Sequence, residues 1–368
     1  MTMTSWPAVR MQTDPAELDA LLAQVVRSGA SDLHISAGEP PGIRVDGLLR
    51  PMPDAAPLGP DDVFALVRGA TSSQQWERFE ANHELDFGYE VSGLGRFRVN
   101  VYQQRGTTGA AFRVVPTDIK PLRALGVPES AETFAMLPRG LVLVTGATSS
   151  GKTTTLAAIL DHANRHRDAH IVTIEDPIEF VHTRRRSMVH QREVGVDTDD
   201  FATALRHALR QDPDIILVGE LRDLETMQTA ISAAETGHLV LATLHTRGAA
   251  ATVERLIDTF PPQQQAQIRS QLAGCLQAVI SQTLVPRADG TGRIAACEIM
   301  VATQAVRNLI REGKAHQIDG YLQSSAEAGM VSLDQHLAQL LRERLISDEI
   351  ALSLARDPAE FKRLAMGY

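Results

Sequence analysis

Gly140-Leu-Val-Leu-Val-Thr-Gly-Ala-Thr-Ser-Ser-Gly-Lys-Thr-Thr-Thr155 decides the fold. Gly146 to Thr153 reads G-x-x-x-x-G-K-T, preceded by the apolar run Leu141–Val144 and followed by Leu156, Ala157, Ile159 and Leu160 at helical spacing. This is a buried strand, a Gly-rich turn and a helix start, the context the motif requires. Backbone N–H groups of such a turn converge on a phosphate, and the helix N-terminus adds partial positive charge. Lys152 is suited to the β- and γ-phosphates and the Thr153 hydroxyl to Mg2+. The glycines Gly146 and Gly151 permit backbone angles and a close approach that a Cβ would hinder.

Downstream, apolar runs with little alternation recur at 171–174, 215–218 and 239–244, as suits strands buried on both faces of a parallel sheet. Helices are expected between them at 153–165, 201–210 and 224–235, which makes a doubly wound P-loop domain. A hairpin is expected at Asp289-Gly-Thr-Gly292, and short helices from residue 304 to 368.

Upstream, residues 1–13 read as a flexible arm. Asp14-Pro15-Ala-Glu17 opens a helix with an N-cap, a first-turn proline and a capping-box Glu. Leu18, Leu21, Leu22, Val25 and Val26 form its apolar face. A short strand is expected at 31–35, followed by the stretch 42–47 with a hairpin signal at Asp46-Gly47, then a helix from Pro60 to about Ala81, and strands at 85–91, 96–103 and 109–115. The domain 14–115 is therefore α+β and antiparallel. The Pro-bearing stretch 116–128 reads as a linker, the ATPase-type core as 129–303.

The chain has 368 residues, 43% apolar, 22% charged and 4% aromatic, with a net charge of −9. That length suits two or three domains. The negative charge and scarce aromatics argue against broad nucleic-acid binding and base stacking. Cys275 and Cys297 cannot build a four-thiolate zinc site and point to a reducing compartment. No basic start followed by a long apolar core marks a signal peptide, and no stretch approaches a membrane-spanning length.

Phosphoryl transfer to water needs carboxylates and positive charge beside the phosphate cradle. Asp214-Ile-Ile-Leu-Val-Gly-Glu220 is an apolar strand ending in an acid, which can hold a Mg2+-bound water. Thr173-Ile-Glu-Asp-Pro-Ile-Glu179 ends a strand with Glu175, Asp176 and Glu179, any one of which can orient a water; a solvated acidic turn is the plain alternative. His238 and His245 begin and end another strand, at a spacing unlike a zinc site. Arg96, Arg98, Arg105 and Arg113 are candidate phosphate fingers, or else a solvated strand face. Arg184-Arg-Arg186 reads as a solvated basic turn.

Taken in order, Ala147–Thr154, Thr173-Ile-Glu-Asp-Pro-Ile-Glu-Phe180, Asp212-Pro-Asp-Ile-Ile-Leu-Val-Gly-Glu-Leu-Arg-Asp223 and Ala234-Glu-Thr-Gly-His-Leu-Val-Leu-Ala-Thr-Leu-His-Thr246 resemble the Walker A, Asp box, Walker B and His box of the secretion-type hexameric ATPases. Gln191-Arg-Glu-Val194, Ala305-Val-Arg-Asn-Leu-Ile-Arg-Glu312 and Gly29-Ala-Ser-Asp-Leu-His34 narrow the resemblance to the retraction ATPases of type IV pili, across nearly the whole chain. The segment Asp357-Pro-Ala-Glu-Phe361 is closer to an accessory retraction ATPase.

The resemblance implies an N-terminal PAS-like domain, a C-terminal RecA-like ATPase core with a helical tail, and a cytoplasmic homohexamer at the inner-membrane pilus machine. Its partners would be the platform protein and a second retraction ATPase, with no nucleic acid. It implies ATP held by Gly146, Thr148, Ser149, Ser150, Gly151, Lys152, Thr153 and Thr154, and Mg2+ by Thr153 and Glu220. It assigns the base to Glu179, the Walker B acid to Glu220, the His-box residues to His238 and His245, and the arginines to Arg98 and Arg113. Ser149-Ser150 and Thr153 stand where relatives often have Gly-Ser and Ser, a mild departure because Thr and Ser ligate Mg2+ alike. A nucleic-acid motor on a RecA-like core and a non-hydrolysing regulator are the alternatives; the presence of Glu179 and Glu220 opposes the second.

Overall fold

The computed structural model of the chain describes residues 15–45, 47–323 and 328–366. The expected arm, the Asp14 cap and Asp46 of the hairpin signal lie outside the described residues. The fold is mixed α/β, in two compact units divided between Thr117 and Asp118.

The first unit holds a six-stranded antiparallel sheet of β1 (Asp32–Ser36), β2 (Gly42–Val45), β3 (Leu48–Pro51), β4 (Glu84–Val91), β5 (Gly95–Gln104) and β6 (Thr107–Val114), in the order β3-β2-β1-β6-β5-β4. Alternation along β5 buries Phe97, Val99 and Val101 and turns Arg98 outward. Helix Pro15–Arg27 closes this core with Leu18, Leu22 and Val25, while Val26 stays exposed. Where one helix is expected over 60–81, there are two, Pro60–Ala70 and Ser73–Asn82. The break is chemical: the Ser72 hydroxyl accepts from the Gln75 amide while the Gln75 side chain accepts from the Ser72 amide, a capping box that starts a new helix.

The second unit holds a seven-stranded sheet of β7 (Gly140–Thr145), β8 (His170–Glu175), β9 (Met188–Glu193), β10 (Ile215–Val218), β11 (Leu239–Leu244), β12 (Leu276–Pro286) and β13 (Arg293–Val301). The order is β13-β12-β7-β11-β10-β8-β9, parallel throughout except for the β12–β13 hairpin. Strands β7, β10 and β11 are buried along their whole length, sandwiched between helices. Each Leu, Ile or Val so buried contributes about 1.5–3 kcal/mol, which is why apolar runs rather than alternation mark these strands.

The sheet holds a strand that no expectation covers, and one expectation changes here. Strand β9, Met-Val-His-Gln-Arg-Glu, carries no apolar run because it is the sheet's edge and one side of it meets water. The stretch expected as a linker over 116–128 is largely part of the second unit: Ile119, Leu122 and Val127 are buried in its core, and a short helix, Leu122–Leu125, forms within it. Helices Gln304–Arg311, Ile318–Gln323, Leu333–Arg342, Asp348–Leu354 and Pro358–Ala365 complete the C-terminal region.

Candidate active site

The parallel strands β7, β11, β10 and β8 end on one edge of the sheet, and the loops beyond them enclose a cavity of ≈ 350 Å³. Ligands of doubly wound sheets bind at such carboxyl edges.

The turn after β7 reaches its shape through left-handed backbone at Gly146 (φ 145), Ser149 (φ 62) and Gly151 (φ 86). A Cβ at Gly146 would lie 2.3 Å from the Gln282 carbonyl oxygen, so only glycine fits. Gln282, on β12, also donates from Nε2 to the Ser150 carbonyl at 2.7 Å and so backs the turn. The Lys152 ammonium donates to the carbonyls of Gly146 (3.0 Å) and Ala147 (2.9 Å), folded back across the loop it belongs to. Burial pushes its pKa below the usual lysine value, against the pull of the Glu220 and Glu179 carboxylates. Among the described residues, helix Lys152–His166 starts without a side-chain cap, and its first turn carries no acid. Its first amides are therefore free to meet an anion. The buried Ser150 hydroxyl has no hydrogen-bond partner among the described residues. These features fit a phosphate group.

Glu220 follows β10 and Gly219. Its Oε1 lies 3.1 Å from His245 Nε2, and its Oε2 lies 2.9 Å from Arg222 Nε. Arg222 also approaches Asp176, with Nη1 3.7 Å from Oδ2. Glu175 ends β8 and is buried; it accepts from the Thr173 hydroxyl (2.7 Å) and Gln191 Nε2 (3.0 Å). Burial pushes its carboxyl up all the same. Glu179 lines the cavity from the turn after the cis Asp176–Pro177 bond. His182 lines it too, and burial lowers its pKa to about 4. Among the described residues, no three His, Cys, Asp or Glu side chains are grouped to hold a metal alone. The oxygens that line the cavity, the Thr153 hydroxyl and the Glu220 carboxylate among them, are of the type that Mg2+ takes beside phosphate and water.

Thr148, Ser149, Lys152, Thr153, Glu179, Glu220 and His245 thus line one cavity. His238 does not join them. It precedes β11, at the opposite end of six residues of strand, roughly 20 Å away at ~3.3 Å per residue, where its ring Nδ1 meets the Ala233 carbonyl at 3.1 Å. His238 therefore stands outside the cavity of its own chain. Arg98 and Arg113 belong to the first unit, as direct cross-strand neighbours on β5 and β6. Arg113 Nε bonds the buried Asp32 at 2.7 Å, and Arg98 is exposed without an ion-pair partner among the described residues. Arg222, Gln191 and Gln282 carried no role in the sequence reading. Nothing sets Gln282 apart in the sequence, since Leu276–Pro286 also carries Gln277, Ser281 and Thr283.

The family model described as type II/IV secretion system protein matches residues 14–343. A Pseudomonas aeruginosa protein named type IV pilus retractation ATPase PilT is 50% identical over 345 residues, covering 94% of this chain and 100% of the relative. The type IV pilus ATPase PilU of the same organism is 42% identical over 348 residues, covering 95% of this chain and 91% of the relative. A crystal structure of the pilus retraction motor PilT with bound ADP superimposes with a TM-score of 0.86 at 44% identity, covering 94% of this chain and 98% of that one.

Proposed function

The chain belongs to the type II/IV secretion system protein family, and from that premise we propose that it is a motor hydrolysing ATP to power type IV pilus retraction. The observation that carries this reading is the convergence of Lys152, Glu179, Glu220 and His245 on one cavity at the carboxyl edge of the sheet. The loop Gly146–Thr154 binds the substrate's phosphates through backbone amides, and Lys152 exchanges its loop carbonyls for phosphate oxygens. Thr153 and Glu220 would hold Mg2+, which when bound neutralises phosphate charge. Glu179 takes the proton of the attacking water. His245 and Arg222 fix the direction of the Glu220 carboxylate.

The first unit is read as a PAS-like domain over 14–115 and the second as a RecA-like core over 129–303 with a helical tail over 304–368. The chain works as a cytoplasmic homohexamer at the inner-membrane pilus machine, against the platform protein. Arg98 and Arg113 supply positive charge to the nucleotide of a neighbouring subunit, and rotation between domains carries the work. The identity to PilU supports a second reading, an accessory retraction ATPase acting beside a principal one.

The test is pilus retraction in a strain lacking this gene. Loss of retraction, restored by the wild-type gene and not by Glu179→Gln, is expected. Unimpaired retraction in the uncomplemented strain would give the accessory role precedence, and strong stimulation of the purified ATPase by single-stranded DNA would overturn the pilus assignment.

A further inference from the structure

The Glu179 carboxylate has no hydrogen-bond or ion-pair partner of its own among the described residues, so the backbone of its turn sets where it points. That backbone is held at Glu179 itself by the Glu175 carboxylate, which accepts from its amide, and on both sides of it from outside, by the edge strand β9. Gln191 and Glu193 alternate onto the same side of β9. The Glu193 carboxylate, buried, accepts from the Ile178 amide at 3.1 Å. Gln191 uses both ends of one side-chain amide. Its Oε1 accepts from the His182 amide (2.8 Å), and its Nε2 donates to the Phe180 carbonyl (2.8 Å) and to Glu175 Oε1 (3.0 Å). The bonds to backbone at 178, 180 and 182 straddle Glu179 on both sides. The orientation of the Gln191 amide follows from its partners, since only Oε1 can meet an N–H and only Nε2 a carbonyl.

We propose that Gln191 is a positioning residue for Glu179, holding the turn 176–182 in the shape that aims the carboxylate at the attacking water. The inference rests on the reading of Glu179 as the base. Leucine at 191 keeps the bulk and removes all three bonds. Glutamate keeps the shape and an acceptor for His182, but loses the donor to Phe180 and sets a second charge beside Glu175. The turn then gains freedom while the phosphate loop, on other strands, keeps its form.

The experiment uses the full-length chain, with Mg-ATP turnover, KM for ATP and Kd for ADP measured for Gln191→Leu, Gln191→Glu, Glu179→Gln and the double variant Glu179→Gln with Gln191→Leu. Gln191→Leu is expected to lower kcat ~10–100-fold, the range a small misplacement of a reacting group costs. KM for ATP and Kd for ADP are expected to stay within about twofold, and Gln191→Leu to cost nothing further once Glu179 is already Gln, because residues acting as a unit are not additive. The proposal is overturned if both Gln191 variants turn over within about twofold of wild type, if turnover and ADP affinity fall together, or if the losses of Glu179→Gln and Gln191→Leu add in full. Near-normal turnover by Glu179→Gln would instead remove the reading beneath it. Should Gln191→Leu fail to fold, Gln191→Glu takes its place in the cycle and the same outcomes decide.

Discussion

His245 Nε2 stands 3.1 Å from Glu220 Oε1, one residue beyond the end of β11 and two beyond the end of β10. The two strands are parallel neighbours, so the sheet register itself sets the pair. A side chain that orients an acidic ligand typically accounts for about 10–100-fold in activity or metal affinity. His245→Ala is therefore expected to lower ATP turnover in that range while ADP still binds. His238→Ala, at the far end of the same strand, is expected to leave turnover within about twofold of wild type. Steady-state kinetics and ADP titration of the two variants check the contrast; equal losses from both would break the link between position along β11 and role.

Lys152 is expected to matter to binding before chemistry. Its ammonium is buried among the Gly146 and Ala147 carbonyls and pulled toward two carboxylates. A charge-assisted bond of this kind contributes about 1.5–3 kcal/mol. Lys152→Ala should weaken ADP binding by roughly 10–150-fold, measured by calorimetry. Wild-type affinity would show that the loop amides alone carry the phosphate.

Glu179→Gln is expected to separate binding from turnover. It keeps the shape and removes the basic oxygen, and general-base contributions run to about 10²–10⁴-fold. ADP affinity should stay near wild type while ATP hydrolysis falls within that range. Near-normal turnover would move the base to another carboxylate, with Glu175 the poorer candidate because it is buried and its Oε1 already accepts from both Thr173 and Gln191.

The sequence made the second unit legible because its strands are buried on both faces, so periodicity collapses into apolar runs. It hid β9 for the opposite reason: an edge strand with one wet side spells Met-Val-His-Gln-Arg-Glu, and nothing in that spelling announces pairing with β8. Ser72 and Gln75 did carry a visible cap signal, masked by the apolar helical pattern on either side of it. The prolines at 116, 121 and 128 suggested a linker, although Ile119, Leu122 and Val127 pack into a core. The phosphate loop and its carboxylates were readable because each motif ends a strand, and strand ends on one edge converge. His238 and His245 could not be told apart until direction along β11 was known. Arg222 lies within the Walker B-like stretch, yet nothing there sets it a role, since an ion pair made after folding has no spacing rule.

Arg98 and Arg113 face each other across β5 and β6, yet they differ in what holds them. Arg113 Nε bonds Asp32, a buried carboxylate that Arg44 also approaches at 3.9 Å. Burial pushes the Asp32 carboxyl up, but the bonds from Ser31 and Arg113 bring it below its usual value. Arg113→Ala leaves that buried acid short of a donor and should destabilise the first unit by about 1–3 kcal/mol. Arg98→Ala should leave stability within about 0.5 kcal/mol of wild type and act on turnover alone, if Arg98 serves a nucleotide. Thermal unfolding alongside ATPase rates checks both, and loss of stability with normal turnover in Arg98→Ala would make the pair structural.

His336 ties stability to pH. It is buried on helix Leu333–Arg342, and its Nδ1 accepts from the Cys297 amide at 2.8 Å. That bond requires a neutral ring, because an imidazolium has no acceptor. Burial lowers its pKa to about 4, from an ordinary 6.5. Between these values the unfolded chain binds a proton that the folded chain refuses, so unfolding takes up protons and stability falls as the pH drops. The contribution is fully present above pH ~6.5 and is lost progressively toward pH ~4, amounting to roughly 3 kcal/mol for this one group. Urea unfolding of the wild type is expected to show a midpoint that declines through this window. His336→Asn, which keeps an acceptor for the Cys297 amide and does not titrate, should start lower because it leaves a cavity. Its midpoint should then vary less with pH, and a slope as steep as the wild type's would mean that other groups set the acid sensitivity.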